Sequence, residues 1–270
     1  MQEFWDTLRV RVLVADVATV SPTWGDGVYH SDPYGRLYWL QAGRAAVTHH
    51  KRRWTLRQGR LHVIPANTPV QLHCPDRATI AYVHFTAAVW GEMDLFEVLG
   101  GPYDLQPSPS ANVPSLLQRL RRAFHDANPQ NTLDVTGLLL QLLAPFQAVG
   151  DPRQRLQRMR EVQRFEPALQ YIEANLHRPI RLAELAETVS LEPTYFSRLF
   201  TRRFGLSPVR YVLRQRVERA RKMLWNTDLT LETAARQLGF VDAFHLSRTF
   251  KRLTGLSPRQ FRQRSRRRVP

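Results

Sequence analysis

Apolar positions recur along this chain with two different periods, and the change of period divides it into parts. Through the first hundred residues the apolar stretches are short: LYWLQAG (37–43), AAVTHH (45–50), RWTLRQG (53–59), LHVIP (61–65), VQLHC (70–74) and TIAYVHF (79–85). They are rich in β-branched and aromatic residues. Turn formers separate them, among them Gly43, Gly59, the run Pro65-Ala66-Asn67-Thr68-Pro69 and Pro75-Asp76. Alternation puts Leu37 and Trp39 on one side of the first strand and Tyr38 and Leu40 on the other. In the last strand Tyr82 and His84 oppose Val83 and Phe85. Short strands at close spacing predict a sandwich or barrel over residues 1–105.

Beyond a proline-rich boundary at Pro102, Pro107, Pro109 and Pro114, the spacing becomes helical. Val113, Leu116, Leu117, Leu120 and Phe124 share one face of a helix over 113–127. A second helix over 131–147 carries Leu133, Leu139, Leu140 and Leu143, with Asn128-Pro129-Gln130 as the turn between the two. The second helix is apolar nearly all round. It is therefore expected to be buried on both sides or to meet another subunit, and residues 106–150 are read as a helical dimerisation region. A charged linker is expected over 151–165. From 166 to 270 the pattern is helical throughout and predicts an all-α domain of about seven helices. The fold class is thus two-domain α+β.

The helical domain repeats itself. FSRLFTRRFGLSPVRY (196–211) returns as LSRTFKRLTGLSPRQF (246–261), with a period of 50 residues. Each copy follows a short alanine-containing amphipathic segment, LAELAETV (182–189) and LETAARQL (231–238), here at an offset of 49. A repeat of this length is one supersecondary unit used twice. Helix, tight turn, helix is the layout of a helix-turn-helix, whose second helix enters the DNA major groove. Ser207-Pro208 and Ser257-Pro258 read as helix starts, and Gly205 and Gly255 as C-terminal caps.

Periodicity sorts the faces. Phe196, Leu199, Phe200 and Phe204 form the core stripe of the first copy, and Leu246, Phe250 and Leu253 that of the second. Thr194, Ser197, Arg198, Thr201 and Arg202 are left outside in the first, and Ala243, Phe244, Ser247, Arg248 and Lys251 in the second. Arg198 and Arg248 hold the same repeat position. There an arginine reaches guanine O6 and N7, or a phosphate, unless it pairs instead with Glu192 or Asp242. Arg181, Arg202, Arg203, Arg210, Lys251 and Arg252 are candidate phosphate contacts, with Arg214, Arg221 and Lys222 further along the connecting helix. That helix, about 27 Å long over 18 residues, suits two recognition helices one duplex turn apart, ~34 Å. The run 264–268 reads as a solvated basic tail.

Charge supports a polyanionic partner. The net charge is +16. Residues 1–165 hold 18 Lys and Arg against 14 Asp and Glu, and residues 166–270 hold 21 against 9, a net of +4 and +12. An excess concentrated in one domain is the footprint of a nucleic-acid binder. With a single cysteine, Cys74, the chain forms no internal disulfide and no multi-thiolate zinc site. No apolar run reaches the roughly 18 residues of a membrane span, and the N-terminus lacks the pattern of a secretory signal. The expected location is cytoplasmic, with no membrane partner.

The stretch from LAELA through YFSRLFTRRFGLSP and RVERARKMLWNTDLTLETAARQLGFVDAFHLSRTFKRLTGLSPRQFR is similar to the DNA-binding domain of the AraC/XylS family of bacterial transcription regulators. Ala235, Gly239, Phe240, Asp242, Phe250, Lys251, Gly255 and Pro258 carry most of the likeness. The resemblance implies base contacts by Thr194, Ser197 and Arg198, and by Ala243, Phe244, Ser247 and Arg248. It also implies promoter DNA as a partner and activation of a nearby operon by recruiting RNA polymerase, with repression as the alternative; the homodimer is expected from the apolar helix pair. Leu246 departs from a commonly aromatic position. Ala243 departs from a commonly polar one, which weakens direct readout by the second motif.

GRLHVIPANTPVQLHC (59–74) resembles an element of the cupin-type effector domain, and so implies a cupin-like antiparallel β-barrel for residues 1–105. A small-molecule effector such as a sugar or small acid would be held by His30, Arg36, Tyr38, Trp54, Tyr82 and His84, since aromatics with an arginine suit such ligands. No metal, cofactor or catalytic residue is expected. A metal-dependent cupin enzyme fused to a DNA-binding module is the rival, yet His49 and His50 are adjacent and face opposite sides of a strand, and no glutamate follows until Glu92. A repair-type methyl acceptor would need a cysteine-rich zinc site. A non-specific DNA binder would leave the N-terminal domain unexplained.

Overall fold

The structure is a computed structural model that describes residues 2–24, 29, 31–49, 52–90, 93–100, 104–126, 131–148, 151–226 and 229–268. The chain divides into two compact units, Met1–Val89 with Met93–Met159, and Trp90–Glu92 with Arg160–Pro270.

The first unit opens with a short helix α1 (Gln2–Asp6) and a long strand β1 (Arg9–Val20). Strands β2 (Gly35–Gly43), β3 (Ala45–His49), β4 (Arg52–Leu56), β5 (Leu61–Ile64), β6 (Gln71–His73), β7 (Ala78–Val89) and β8 (Met93–Asp94) follow. Next come α2 (Leu95–Leu99), β9 (Asp104–Leu105), α3 (Val113–His125) and α4 (Asn131–Leu143). All the pairings are antiparallel. One sheet runs in the order β1-β7-β2-β5-β9, with β8 on β7. The other runs β4-β3-β6. The closed barrel expected from the cupin likeness is therefore not what forms. Two separate sheets face each other, and Tyr38, Leu40, Ile64 and Ile80 of the larger meet Ala45, Val47, Leu56 and Leu72 of the smaller in one core. Gly43 at φ 83 carries the sharp passage from β2 to β3. A Cβ there would lie 2.0 Å from the Arg77 carbonyl oxygen, so only glycine lets the two backbones approach.

Alternation placed the strands well but passed over β1, although its start, RVRV, alternates strictly. Its arginines are solvent-facing edge residues, and β1 is held by pairing with β7 along most of its length. The α3 face closes as expected, with Val113, Leu117 and Leu120 buried. On α4 the buried set is Leu138, Leu139, Leu142 and Leu143. Leu133 and Leu140 are exposed, seven residues apart on one side, so the grouping of Leu133 and Leu140 with the buried leucines is corrected. The turn at 128–130 lies outside the described residues.

Where a linker was expected, the chain forms helix α5 (Pro152–Gln163), and the division between the units falls within it. The second unit continues with α6 (Glu166–Ala174), α7 (Leu182–Glu187), α8 (Pro193–Phe204), α9 (Pro208–Asn226), α10 (Leu231–Gln237), α11 (Ala243–Thr254) and α12 (Pro258–Arg268). Among the described residues no single helix is long and apolar enough to cross a membrane.

Candidate nucleic-acid interface and ligand face

The two halves of the helical unit are built by the same local devices. After α7 the chain turns at Ser190 with φ 53, and the Leu191 N–H donates to the Ala186 carbonyl at 3.0 Å. After α10 it turns at Gly239 with φ 64, and the Phe240 N–H donates to the Ala235 carbonyl at 3.0 Å. Each pair is 49 residues apart, so a serine takes in the first motif the left-handed conformation that a glycine takes in the second. The second helices then start alike. The Glu192 carboxylate accepts the Tyr195 N–H at 2.9 Å, and the Asp242 carboxylate accepts the His245 N–H at 2.6 Å. They also end alike, at Gly205 with φ 68 and Gly255 with φ 76. Backbone N–H groups of Thr194 and Tyr195 hold the Glu192 carboxyl below its ordinary range.

Those caps decide the fate of the two repeat-equivalent arginines. Glu192 and Asp242 are spent on backbone amides, not on ion pairs with Arg198 and Arg248. Both guanidinium groups stand exposed, over the rings of Tyr195 at 5.3 Å and Phe244 at 4.4 Å. Among the described residues neither makes a hydrogen bond or an ion pair. Thr194 and Phe244 are exposed beside them, while Ser197, Ser247 and Ala243 are half-buried.

Beneath these faces lie two cores. In the first motif Phe165 meets Phe196 at 6.0 Å, Phe200 at 5.6 Å and Phe204 at 5.5 Å, and Phe200 meets Tyr211 of α9 at 5.2 Å. In the second, Val217, Ala220 and Leu224 of the same α9 pack with Leu246, Phe250 and Phe261. One helix thus serves both cores. Its Arg216 is buried and bridges the halves, donating to the carbonyls of Gly239 at 3.0 Å and Arg178 at 2.5 Å. Burial without a carboxylate lowers its pKa. Arg178 in turn bonds Glu184, whose carboxyl is pulled down to about 2 by the Arg181 backbone N–H, the Tyr171 hydroxyl and Arg178.

Leu253 is 48% exposed and does not belong to the core. Its repeat counterpart Arg203 lies half-buried at 3.7 Å from Glu161 of α5. Helix α5 covers that position in the first motif, whereas α11 ends one residue beyond Leu253. Of the candidate phosphate contacts, Arg181, Arg202, Arg210, Lys251 and Arg252 are exposed. Arg221 is withdrawn from that group. It is 2% exposed, bonded to Glu218 at 2.9 Å and set over the Phe261 ring. Helix α12 packs on the side of α9 that carries it. The side chains at 264–268 lie outside the described residues.

In the β unit, strand register gathers four of the six residues read as ligand contacts. Arg36 pairs across with His84, and Tyr38 with Tyr82, on the face turned to the smaller sheet. Arg36 is buried and forms an ion pair with Asp32. Burial opposes its charge, but Asp32 outweighs that and holds its pKa above the usual value. One of its Nη atoms is buried with no hydrogen-bond partner. Tyr34 stacks on His84 at 4.7 Å, and Tyr82 lies 5.1 Å from His84. Burial and then Asp16 push the Tyr82 hydroxyl pKa up. Trp54 sits apart on β4, beside His49 at 6.0 Å, and His30 lies outside the described residues. Asp32 and Tyr34 were missed by sequence reasoning. The available signal was that a strand arginine flanked by apolar residues needs a counterion, and Asp32 stands four residues before it. A cleft of about 490 Å³ opens beside β1, β7 and α3, lined by Tyr82 among others, where Arg121 bonds Asp16 at 3.0 Å. Among the described residues no three His, Cys, Asp or Glu side chains cluster closely enough to hold a metal ion.

Two helix-turn-helix units sharing one connecting helix, following in the chain a two-sheet domain with a charged and aromatic inner face, define a DNA-binding protein with a ligand-binding domain. A helix-turn-helix domain model matches residues 185–264, and an AraC-like ligand binding domain model matches residues 22–143. The chain belongs to the AraC family of transcriptional regulators. It is similar to the regulatory protein PocR of Salmonella typhimurium, 35% identical over 100 residues, covering 37% of this chain and 33% of that protein. It is similar to the arabinose operon regulatory protein of Escherichia coli, 36% identical over 100 residues, covering 37% and 34%. The chain spans about a third of the length of the curated relatives it matches. Its fold is like that of ToxT from Vibrio cholerae, at a TM-score of 0.56 and 10% identity over 96% of this chain and 99% of that one.

Proposed function

We propose that this chain is a sequence-specific transcription regulator, an activator that binds promoter DNA as a homodimer and responds to a small organic effector. The observation that carries the reading is the duplicated recognition helix, with its arginine left unpaired because the neighbouring carboxylate caps the helix. Thr194, Ser197, Arg198, Ala243, Phe244, Ser247 and Arg248 face the bases. Arg181, Arg202, Arg203, Arg210, Lys251 and Arg252 approach phosphates, Arg203 by leaving Glu161. RNA polymerase is the partner this activity requires. Footprinting the full chain on the DNA upstream of its own gene is the test. A bounded protected site supports the reading, and uniform protection would make the chain a non-specific binder.

Dimerisation is assigned to α3 and α4. Leu133 is 82% exposed and Leu140 38%, on one side of α4, and exposed leucines repeated at this spacing fit a helix-helix contact with a second copy. Leu140→Glu is expected to convert a dimer into a monomer in analytical ultracentrifugation. Sedimentation identical to wild type would remove α4 from the interface.

The effector site is the inner face bearing Arg36, Tyr38, Tyr82 and His84. An arginine N–H left unpartnered among aromatic rings suits the oxygen atoms of a sugar or small carboxylic acid. A compound from such a panel at a hundred times its Kd should stabilise the domain by about 2.7 kcal/mol, visible as a higher melting temperature of the full chain. Tyr82→Phe should weaken the shift. No shift with any compound would leave the domain a dimeriser alone.

A further inference from the structure

Phe244 stands in the first turn of α11 and is 65% exposed. The core of its motif does not use it, since Leu246, Thr249 and Phe250 fill that side of the helix. One turn further on, Arg248 holds its guanidinium over the Phe244 ring, 4.4 Å from the centroid. Residues four apart on a helix are neighbours on one face. A guanidinium held against a ring is restricted in its motion and loses less freedom on meeting a planar acceptor pair.

Stacking also fixes what lies beside the arginine. A guanidinium that donates to O6 and N7 of one guanine lies close to the plane of that base pair. The ring stacked on it then lies near the level of the adjacent base pair, because successive pairs are about 3.4 Å apart along a strand. At that level the major groove offers an apolar group only where the base carries a methyl at C5. Resting on the DNA-binding reading above, we propose that the Phe244–Arg248 pair reads a two-base-pair step, with Arg248 on guanine and Phe244 on the C5-methyl of an adjacent pyrimidine. The chemistry recognised is a 5-methylpyrimidine, supplied by thymine or by 5-methylcytosine. The first motif lacks this device at the same position, where Thr194 stands in place of Phe244.

The test begins with selection of a preferred site from random duplexes by the full chain. Probes are then made with thymine, uracil, cytosine or 5-methylcytosine at each position flanking the guanine lost from the preference in Arg248→Ala. Burying one methyl group changes affinity by about four-fold. At one flanking position, thymine should bind about four-fold tighter than uracil, and 5-methylcytosine tighter than cytosine by a similar factor. Phe244→Ala should erase both differences, and Phe244→Leu should retain part of them. A gain from thymine alone would restrict the source to unmodified DNA and still support the methyl contact. Equal binding with and without the methyl at both positions overturns the proposal, as does a methyl effect that persists in Phe244→Ala. Selection that yields no preferred sequence overturns the DNA-reading function itself.

Discussion

Gly239→Ala is expected to destabilise the helical unit by about 2–5 kcal/mol, whereas Ser190→Gly, at the equivalent turn of the first motif, is expected to be neutral or stabilising by up to about 1 kcal/mol. Both positions are left-handed, at φ 64 and φ 53. A side chain in that conformation costs roughly 1–2 kcal/mol, which Ser190 already bears and Gly239 avoids. The second term separates them further. A Cβ on Gly239 would lie 2.8 Å from the His177 carbonyl carbon and oxygen and from the Leu176 carbonyl oxygen. These are backbone atoms that cannot turn aside, and overpacking of this kind costs about 1–3 kcal/mol. The Gly239 carbonyl is also one of the two held by buried Arg216, so a displaced turn strains that bond as well. Urea unfolding of the full chain, followed by far-ultraviolet circular dichroism, measures both variants. A Gly239→Ala chain within about 0.5 kcal/mol of wild type, inside the range of ordinary surface changes, would show that this close approach carries no weight.

The second large effect is on DNA binding. Arg198→Ala and Arg248→Ala should each weaken binding to the specific site by about 1–3 kcal/mol, roughly 5- to 150-fold. The losses should nearly add in the double variant, because separate motifs present the two residues. Neither arginine is packed in a core or ion-paired, so folding should be unchanged. Replacing an exposed candidate phosphate contact such as Arg210 should act differently. It should weaken all sequences alike and reduce the salt slope by about 1. Affinities within two-fold of wild type for both arginine variants, at one fixed salt concentration, would remove these side chains from the specific contact.

Local chemistry was legible in the sequence because it needs no distant partner. The Ser-Pro starts, the glycine ends and the aromatic stripe of Phe196, Phe200 and Phe204 are each set by residues within a turn or two of one another, the 50-residue repeat shows because both copies carry such signals, and the helices formed where those signals stand. Strand alternation likewise put Tyr82 and His84 on one face of their strand and Tyr38 with Leu40 on one face of theirs; that these faces coincide came from the strand register. What failed depended on a neighbour remote in sequence. Leu253 has core periodicity, but among the described residues no element covers it. Arg221 looked like one more exposed basic residue until α12 packed over it with Phe261 and Glu218 took its charge. The charged segment after Asp151 became α5, with Met159 and Val162 buried; its apolar positions are too sparse to announce a helix alone.

By itself, then, the sequence determined two domains, the paired helix-turn-helix, the basic half and the two arginines at one repeat position. All of these follow from local pattern and charge. Only the tertiary structure decided that the strands form two facing sheets instead of a closed barrel, that Arg36 and Tyr38 of β2 stand opposite His84 and Tyr82 of β7, and that α12 packs over Arg221. Those outcomes turn on which elements become neighbours. Residues dozens of positions apart meet only when the chain packs, and no local pattern records which pairing repays the conformational entropy of ordering them.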